Sequence, residues 1–286
     1  MANAREIGNK IKSIQSTQKI TSAMEMVAAS KMRKARIRMQ ASRPYLDKIK
    51  EIIAHLIDSK LEYVHPYLIE RPVKRIGCLI ISSDRGLCGG LNHRLFKQIV
   101  GELKAWDDKG ISADICTIGK KAGTFFVKHH AKVIASITDL GDSPRVKDLV
   151  GIIKVLLDSY DSGQVDQLYL VYNKFVSTIV QEPRVELLLP IINATHEIGR
   201  SGRDYIYEPA PEILLDTLLS RYIETLVYQG AVENVACEQA ARMIAMKNAS
   251  DNASDLIDDF KLMYNKARQA AVTTELAEIV AGAAAV

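Results

Sequence analysis

All eight prolines of this chain lie between Pro44 and Pro211. Proline ends or kinks an α-helix, because it lacks the amide donor and clashes with the preceding turn. Residues 1–43 and 212–286 are therefore free to form uninterrupted helices, and the two ends carry opposite charge. The first stretch holds ten Lys/Arg against Glu6 and Glu25, a net of +8, and residues 204–286 hold thirteen acids against six bases, a net of −7. The whole-chain charge of +4 conceals that asymmetry. Long complementary helices at both ends, with a different kind of sequence between them, describe a shaft carrying a head.

At 286 residues and 48% hydrophobic content, the chain is long enough for two structural units with a buried core. It contains no apolar run of about 18 residues, so no segment is expected to cross a bilayer. The opening Met1-Ala2-Asn3-Ala4-Arg5-Glu6 lacks the apolar core of a secretory signal, which points to a cytoplasmic protein. Cys78, Cys88, Cys116 and Cys237 are scattered, make no C-x-x-C pair and have no histidine at ligand spacing. Buried or neutral free thiols are expected rather than a metal or disulfide framework. The sequons at Asn193, Asn248 and Asn252 carry no weight outside the secretory path.

In the N-terminal stretch Ile7, Ile11 and Ile14 follow 3–4 spacing, Ile20, Met24 and Val27 do so after a one-residue phase slip, and Leu46, Ile49, Ile53 and Leu56 resume it. So narrow a stripe fits a coiled-coil seam rather than the broad face of a globular helix. Ala23, Ala28, Ala29 and Ala35 would let a partner helix come close. Pro44 should kink or loosen the helix, which is expected to occupy residues 1–59 and to stop before His65-Pro66 and Arg71-Pro72.

Residues 74–195 read as an α/β domain. Ile76-Gly77-Cys78-Leu79-Ile80-Ile81 is a buried-strand run, followed by the turn Asp84-Arg85-Gly86-Leu87-Cys88-Gly89-Gly90 and a helix from Asn92 to about Asp107. Further strands are expected at 112–118, 132–137, 167–175 and 184–189, with helices near 120–128 and 145–160. That alternation predicts a doubly wound, Rossmann-like domain with one antiparallel strand at its end. Residues 209–286 form the second long helix, begun by Glu208-Pro209-Ala210-Pro211. Its seam is Leu215, Leu219, Tyr222 and Leu226, interrupted at Gly230 and resumed by Leu256, Phe260, Met263 and Ala267. The fold class expected is α/β plus an antiparallel coiled coil of the terminal helices.

At 1.5 Å per residue the first helix is roughly 80 Å long and the last roughly 110 Å. Rooted in one central domain and running antiparallel, they cannot end together, and the C-terminal helix overhangs by about 30 Å, from near Lys266 to Val286. The overhang closes on Glu278-Ile279-Val280-Ala281-Gly282-Ala283-Ala284-Ala285-Val286, a tip apolar all round. Such a tip calls for a socket, with a frayed tail as the alternative.

The glycine-rich turn has neither the P-loop pattern nor G-x-G-x-x-G, so it reads as a tight turn or contact loop rather than a phosphate site. Asp84 and Arg85 have no nucleophile or histidine beside them and read as an ion pair or partner contact. The histidines (His55, His65, His93, His129, His130, His196) form no ligand set, and Asp251 and Asp255 lack the remainder of an EF-hand loop. Tyr205 and Tyr207, flanked by Arg203, Asp204 and Glu208, suit an interface patch or a satellite core. Lys31, Arg33, Lys34, Arg36 and Arg38 put five cations in eight residues. They fit pairing within the chain or an acidic protein partner, a solvated face, or nucleic acid.

Three separated motifs then resemble one family along the whole chain. Ile14-Gln15-Ser16-Thr17-Gln18-Lys19-Ile20-Thr21, continuing through Ala23-Met24-Glu25-Met26-Val27-Ala28-Ala29-Ser30-Lys31-Met32, resembles the N-terminal signature of the gamma subunit of F-type ATP synthases. Asp84-Arg85-Gly86-Leu87-Cys88-Gly89-Gly90-Leu91-Asn92 resembles the central motif. Tyr264-Asn265-Lys266-Ala267-Arg268-Gln269-Ala270 with Thr273-Thr274-Glu275-Leu276 resembles the C-terminal one. The form resembled is bacterial, without the cysteine-bearing insertion of chloroplast members.

The resemblance implies a central rotor shaft of the F1 sector, a non-catalytic subunit without cofactor or metal of its own. It would couple proton-driven rotation of a c ring to ATP synthesis or hydrolysis, and help regulate ATPase activity and proton flow. Its partners would be the alpha and beta subunits, epsilon and the c ring, with nucleotide and Mg²⁺ held on alpha and beta. Its place would be peripheral, on the cytoplasmic face of the bacterial inner membrane. Lys19, Met24, Lys31, Arg268, Gln269 and Thr273 would contact beta, Glu238 and Arg242 would support the coiled coil, and Ile279, Val280 and Val286 would form the bearing tip. Tyr205, Tyr207 and Glu208 would meet the c ring or epsilon. A nucleotide-dependent enzyme and a nucleic-acid-binding coiled-coil protein are the competing readings.

Overall fold

The computed structural model describes residues 4–58, 65–191 and 211–284. The terminal helices form as α1 (Ala4–Asp58) and α5 (Pro211–Ala284). Between them lie β1 (Arg75–Ile81), α2 (Leu91–Asp107), β2 (Ser112–Ile118), α3 (Lys120–Lys128), β3 (Val133–Ile137), α4 (Val146–Asp161), β4 (Gln167–Phe175) and β5 (Gln181–Leu189). Among the described residues no helix is long and apolar enough to cross a membrane. The chain divides into two compact units, Met1–Ala29 with Arg242–Val286, and Ser30–Ala241.

α1 is continuous through Pro44. The residues around the proline are held from outside the helix: the Ser42 side chain hydrogen-bonds that of Gln229, and Leu46 is buried. The buried stripe of α1 also differs from the predicted one. Ile7, Thr21, Ala28, Ala35, Met39, Leu46, Ile49 and Ile53 are buried, with Ile11, Ile14, Gln18, Glu25, Met32 and Ser42 half-buried between them. These positions keep an unbroken 4–3 alternation, so there is no phase slip. Ile20 and Val27 are 60% and 53% exposed and face outward. Apolar periodicity pointed to them because the true seam there is polar or small, at Gln18, Thr21, Glu25 and Ala28.

The same correction applies to α5. Leu256 and Met263 are 48% and 55% exposed, whereas Ala253 and Ile257 are buried and Phe260, Tyr264 and Ala267 half-buried. Within the first unit early α1 lies along late α5, and a Cβ placed on Gly8 would touch the Tyr264 ring at 3.7 Å.

The head is a five-stranded sheet of order β3-β2-β1-β4-β5. β1 pairs in parallel with β2 and β4, β2 with β3, and β5 closes the edge antiparallel to β4. β5 begins at Gln181, earlier than the expected 184, and runs through Pro183. An edge strand tolerates proline because one side of its ladder needs no donor.

Alternate residues of the strands serve opposite faces. Ile76, Cys78 and Ile80 meet Leu95, Phe96 and Ile99 of α2 and Ala122 and Phe126 of α3. Leu79 and Ile81 meet Ile152, Ile153 and Leu156 of α4, together with Ile49 and Ile53 of α1 and Leu219, Ile223 and Val227 of α5. Each of these large side chains, moved from water into the core, contributes about 1.5–3 kcal/mol. The long helices are thus part of the core of the head.

Gly230 makes that packing possible. A Cβ there would lie 3.2 Å from Leu170 Cδ2, 3.4 Å from Ile81 Cδ1 and 3.5 Å from Tyr172 Cγ. The sequence pattern presented Gly230 as an interruption, but it lies where α5 packs against Leu170, Ile81 and Tyr172 of the sheet.

Candidate functional site

In a doubly wound sheet ligands bind beyond the carboxyl ends of the strands, where strand order reverses. Here that point lies between β1 and β4, and α5 occupies it. Asn173 of β4 donates its amide Nδ2–H to Asn234 Oδ1 at 2.9 Å, and both residues are buried. The Cys237 thiol donates to the Asn173 carbonyl at 3.2 Å, and the Phe175 amide donates to Glu233 Oε2 at 3.4 Å. Cys237 also packs on Cys88 and Leu91, at the start of α2. A nucleotide would need this space, and protein fills it.

The glycine-rich turn after β1 is closed on itself. Asn92 Nδ2 donates to the Ser83 hydroxyl at 2.6 Å, and Ser83 N–H donates to Asn92 Oδ1 at 3.3 Å. Cys88 is buried, while Leu87, at φ 63, leaves its side chain 63% exposed. Of the two roles expected for Asp84 and Arg85, an ion pair or a partner contact, the ion pair does not form. The Asp84 carboxylate accepts from Lys120 N–H at 3.0 Å and so caps α3, because β1 and β2 are neighbours and the loop after one meets the helix after the other. All four cysteines are buried free thiols. Burial pushes Cys78 and Cys116 up to about 12, far from a reactive thiolate.

Polar side chains tie the two long helices to each other and to the head. Gln229 Nε2 donates to Glu233 Oε1 at 2.9 Å, and Arg43 of α1 reaches the same oxygen at 3.7 Å. On the loop after β3, Asp142 Oδ2 pairs with Lys31 Nζ at 2.7 Å, and Oδ1 accepts from Gln239 Nε2 at 3.0 Å. The Asp142 carbonyl accepts from Arg38 Nη1 at 2.9 Å. The cationic run 31–38 therefore divides: Lys31 and Arg38, seven residues apart on one face, hold the loop, while Arg33, Lys34 and Arg36 are exposed.

Of the residues expected to contact beta, Lys19, Arg268, Gln269 and Thr273 are exposed and Met24 is half-buried. The Thr273 hydroxyl donates to the Gln269 carbonyl at 2.9 Å. Lys31 is engaged inside the chain, through Asp142. Arg242 is 8% exposed and Glu238 half-buried. From 268 to 283 every residue of α5 is exposed, including Ile279 and Val280 at 67% each. Val286, Tyr205, Tyr207 and Glu208 lie outside the described residues. Sequence reasoning missed Asp142, Asn173, Glu233, Asn234 and Gln239. Each is an ordinary polar residue whose partner is remote in sequence, and nothing local marks it.

A family model described as ATP synthase matches residues 3–286. An ATP synthase gamma chain of Nitrosococcus oceani is 57% identical over 288 residues, covering 100% of both chains. A chain in the structure of the Tetrahymena thermophila mitochondrial ATP synthase central stalk and c ring is 27% identical. It superposes with a TM-score of 0.60 over 81% of this chain and 99% of that one. A chain of the Euglena gracilis mitochondrial ATP synthase shares the fold at a TM-score of 0.69 and 20% identity, over 99% of this chain and 94% of that one. Family model and full-length relative agree, and this chain belongs to the ATP synthase gamma chain family.

Proposed function

We infer that this chain is the central rotor shaft of the F1 sector of an ATP synthase, coupling rotation of a c ring to ATP synthesis or hydrolysis. It is a non-catalytic subunit, and the catalytic sites lie on beta. The observation that carries the reading is the exposed length of α5 from 268 to 283, an apolar-tipped helix that has outrun its partner. A helix of that kind is stable in water only when something surrounds it. A ring of alternating alpha and beta subunits supplies such a bearing, with Ile279, Val280 and Val286 at the tip.

Lys19, Met24, Arg268, Gln269 and Thr273 face beta in this assignment, and Glu238 and Arg242 brace the helical pair. Lys31, 37% exposed while paired with Asp142, is assigned to the same beta-facing side. The Tyr205-Tyr207-Glu208 segment meets the c ring or epsilon, and proton flow drives the ring. The chain works peripherally at the cytoplasmic face of the bacterial inner membrane and bears on the regulation of ATPase activity and proton flow.

A shaft equally complementary to every beta conformation would shift none of them. The exposed cations Arg33, Lys34 and Arg36, with outward Ile20, Met26 and Val27, give α1 an uneven surface suited to differential contact. Affinity capture of the tagged chain from bacterial membranes tests the assignment. Co-purification with alpha, beta and epsilon is expected, and capture without alpha and beta would overturn it.

A further inference from the structure

A rotor head and its shaft must not slip against each other, and the loop 138–144 offers the means. We propose that Asp142 is a torsional joint, a residue through which the head holds the angular setting of both long helices far from their covalent junctions. The proposal rests on the rotor reading given above. Within the unit Ser30–Ala241, one side chain divides its two oxygens between α1 and α5: Oδ2 lies 2.7 Å from Lys31 Nζ, and Oδ1 accepts from Gln239 Nε2 at 3.0 Å. Its backbone carbonyl adds Arg38 at 2.9 Å, so α1 is gripped at two points one heptad apart.

Gln239 is 2% exposed, and a buried amide is held firmly to its acceptor because no water can replace it. The loop is itself anchored at its root. It leaves β3 at Ile137, whose carbonyl accepts from Gly119 N–H at 2.8 Å, and Asp139 accepts from Lys120 Nζ of α3 at 2.8 Å. Asp139 at φ 61 and Gly141 at φ 68 turn the chain so that Asp142 meets the helices.

Position along the helices gives the contact its leverage. The head is joined covalently to the helices after Asp58 and before Pro211. Lys31 and Gln239 each lie about 40 Å along their helix from those junctions, at 1.5 Å per residue. Near the junctions the chain itself prevents slippage. Far from them only side chains do, and apolar packing has no fixed direction, whereas a hydrogen bond or ion pair does. Lys31 and Asp142 remain 37% and 47% exposed, so the contact is weak as a stabiliser of the fold. Its loss should appear as slack in the rotor rather than as unfolding.

The test uses the complete chain assembled with alpha and beta, the ring immobilised and locked by a non-hydrolysable ATP analogue, and a bead on the head to record thermal angular fluctuation. Asp142→Ala should raise the angular variance about twofold or more. Lys31→Ala should raise it less, and the double variant should add little to Asp142→Ala, as required of residues acting through one contact. Exchanging the charges, Lys31→Asp with Asp142→Lys, should recover much of the stiffness. A merely structural role would not be rescued in that way. Should Asp142→Ala fail to assemble, Asp142→Asn keeps the acceptor for Gln239, loses the ion pair and should show an intermediate variance. Unchanged variance in whichever Asp142 variant assembles would overturn the joint. A native chain that never enters the ring would sink the rotor reading instead.

Discussion

At the scale of single residues, Gly230 sets how closely α5 approaches the sheet. Its alanine substitution has two opposed effects. Replacing a mid-helix glycine gains about 1 kcal/mol of helix propensity. Against that, the new methyl would sit 3.2 Å from Leu170 Cδ2 and 3.4 Å from Ile81 Cδ1, both ends of side chains that can yield. Gly230→Ala should therefore leave stability within about 1 kcal/mol of the native value, while Gly230→Leu should cost about 1–3 kcal/mol by overpacking. Urea unfolding of the three chains measures both, and a neutral Gly230→Leu would refute the close approach.

The buried thiols give a second expectation. Cys78 and Cys116 keep their protons up to about 12, whereas the unfolded chain begins to lose them near 9.0. The folded pKa is the higher one, so stability is fully present below pH 9 and declines as pH rises from 9 towards 12. Burial raises Tyr160 and Tyr169 in the same sense. Urea midpoints should be flat from pH 7 to 9 and fall beyond it, and a midpoint that rose between pH 9 and 11 would contradict the buried placement. Neither Gly230 nor the Asp142 joint could be read from neighbouring residues. Asp142 is 104 positions from Arg38 and 97 from Gln239, and Asn173 is 61 from Asn234.

Elements were more legible than residues, for a physical reason. Helix and strand limits are marked by local chemistry: Pro66 and Pro211 flank the long helices, although Pro44 lies within α1, and the apolar run at 76–81 fits a buried strand. Seams were less legible. In α1 the inward positions include buried Thr21 and half-buried Gln18 and Glu25, which add no apolar signal, so the hydrophobic pattern selected outward-facing Ile20 and Val27. The expected overhang needed only lengths, and the described side chains of α5 from 268 to 283 are exposed.

Removing residues 277–286 therefore takes away no buried side chain among those described, and the fold should survive it. The truncated chain should unfold within about 0.5 kcal/mol of the full chain, as changes on exposed surface usually do. Its seating in the ring should weaken, seen as faster loss of the chain from complexes during gel filtration. Unfolding of the α/β domain on truncation would mean that the tip had been wrongly placed outside the core.

On the scale of the whole molecule, a doubly wound domain raises the question of why it is not a nucleotide enzyme. The sheet has the required order and the required reversal between β1 and β4. Sequence alone could argue only from a missing glycine pattern, which left the enzyme reading open. Packing is more decisive. Asn234 and Cys237 bond to Asn173 at the carboxyl end of β4, and Glu233 takes the amide of Phe175, so a helix stands where a ligand would lie. Those contacts include a buried carboxylate and a buried amide pair, and opening the crevice would leave each of these groups without its partner. An unsatisfied buried polar group costs about 1–3 kcal/mol, and more when charged. A ligand would have to recover several such penalties before gaining any affinity. The purified chain should accordingly show no calorimetric heat of binding with ATP or NAD up to about millimolar concentration, where binding free energy is only about 4 kcal/mol. Micromolar binding would require α5 to leave its seat, and would return the domain to the class of enzymes it resembles in topology.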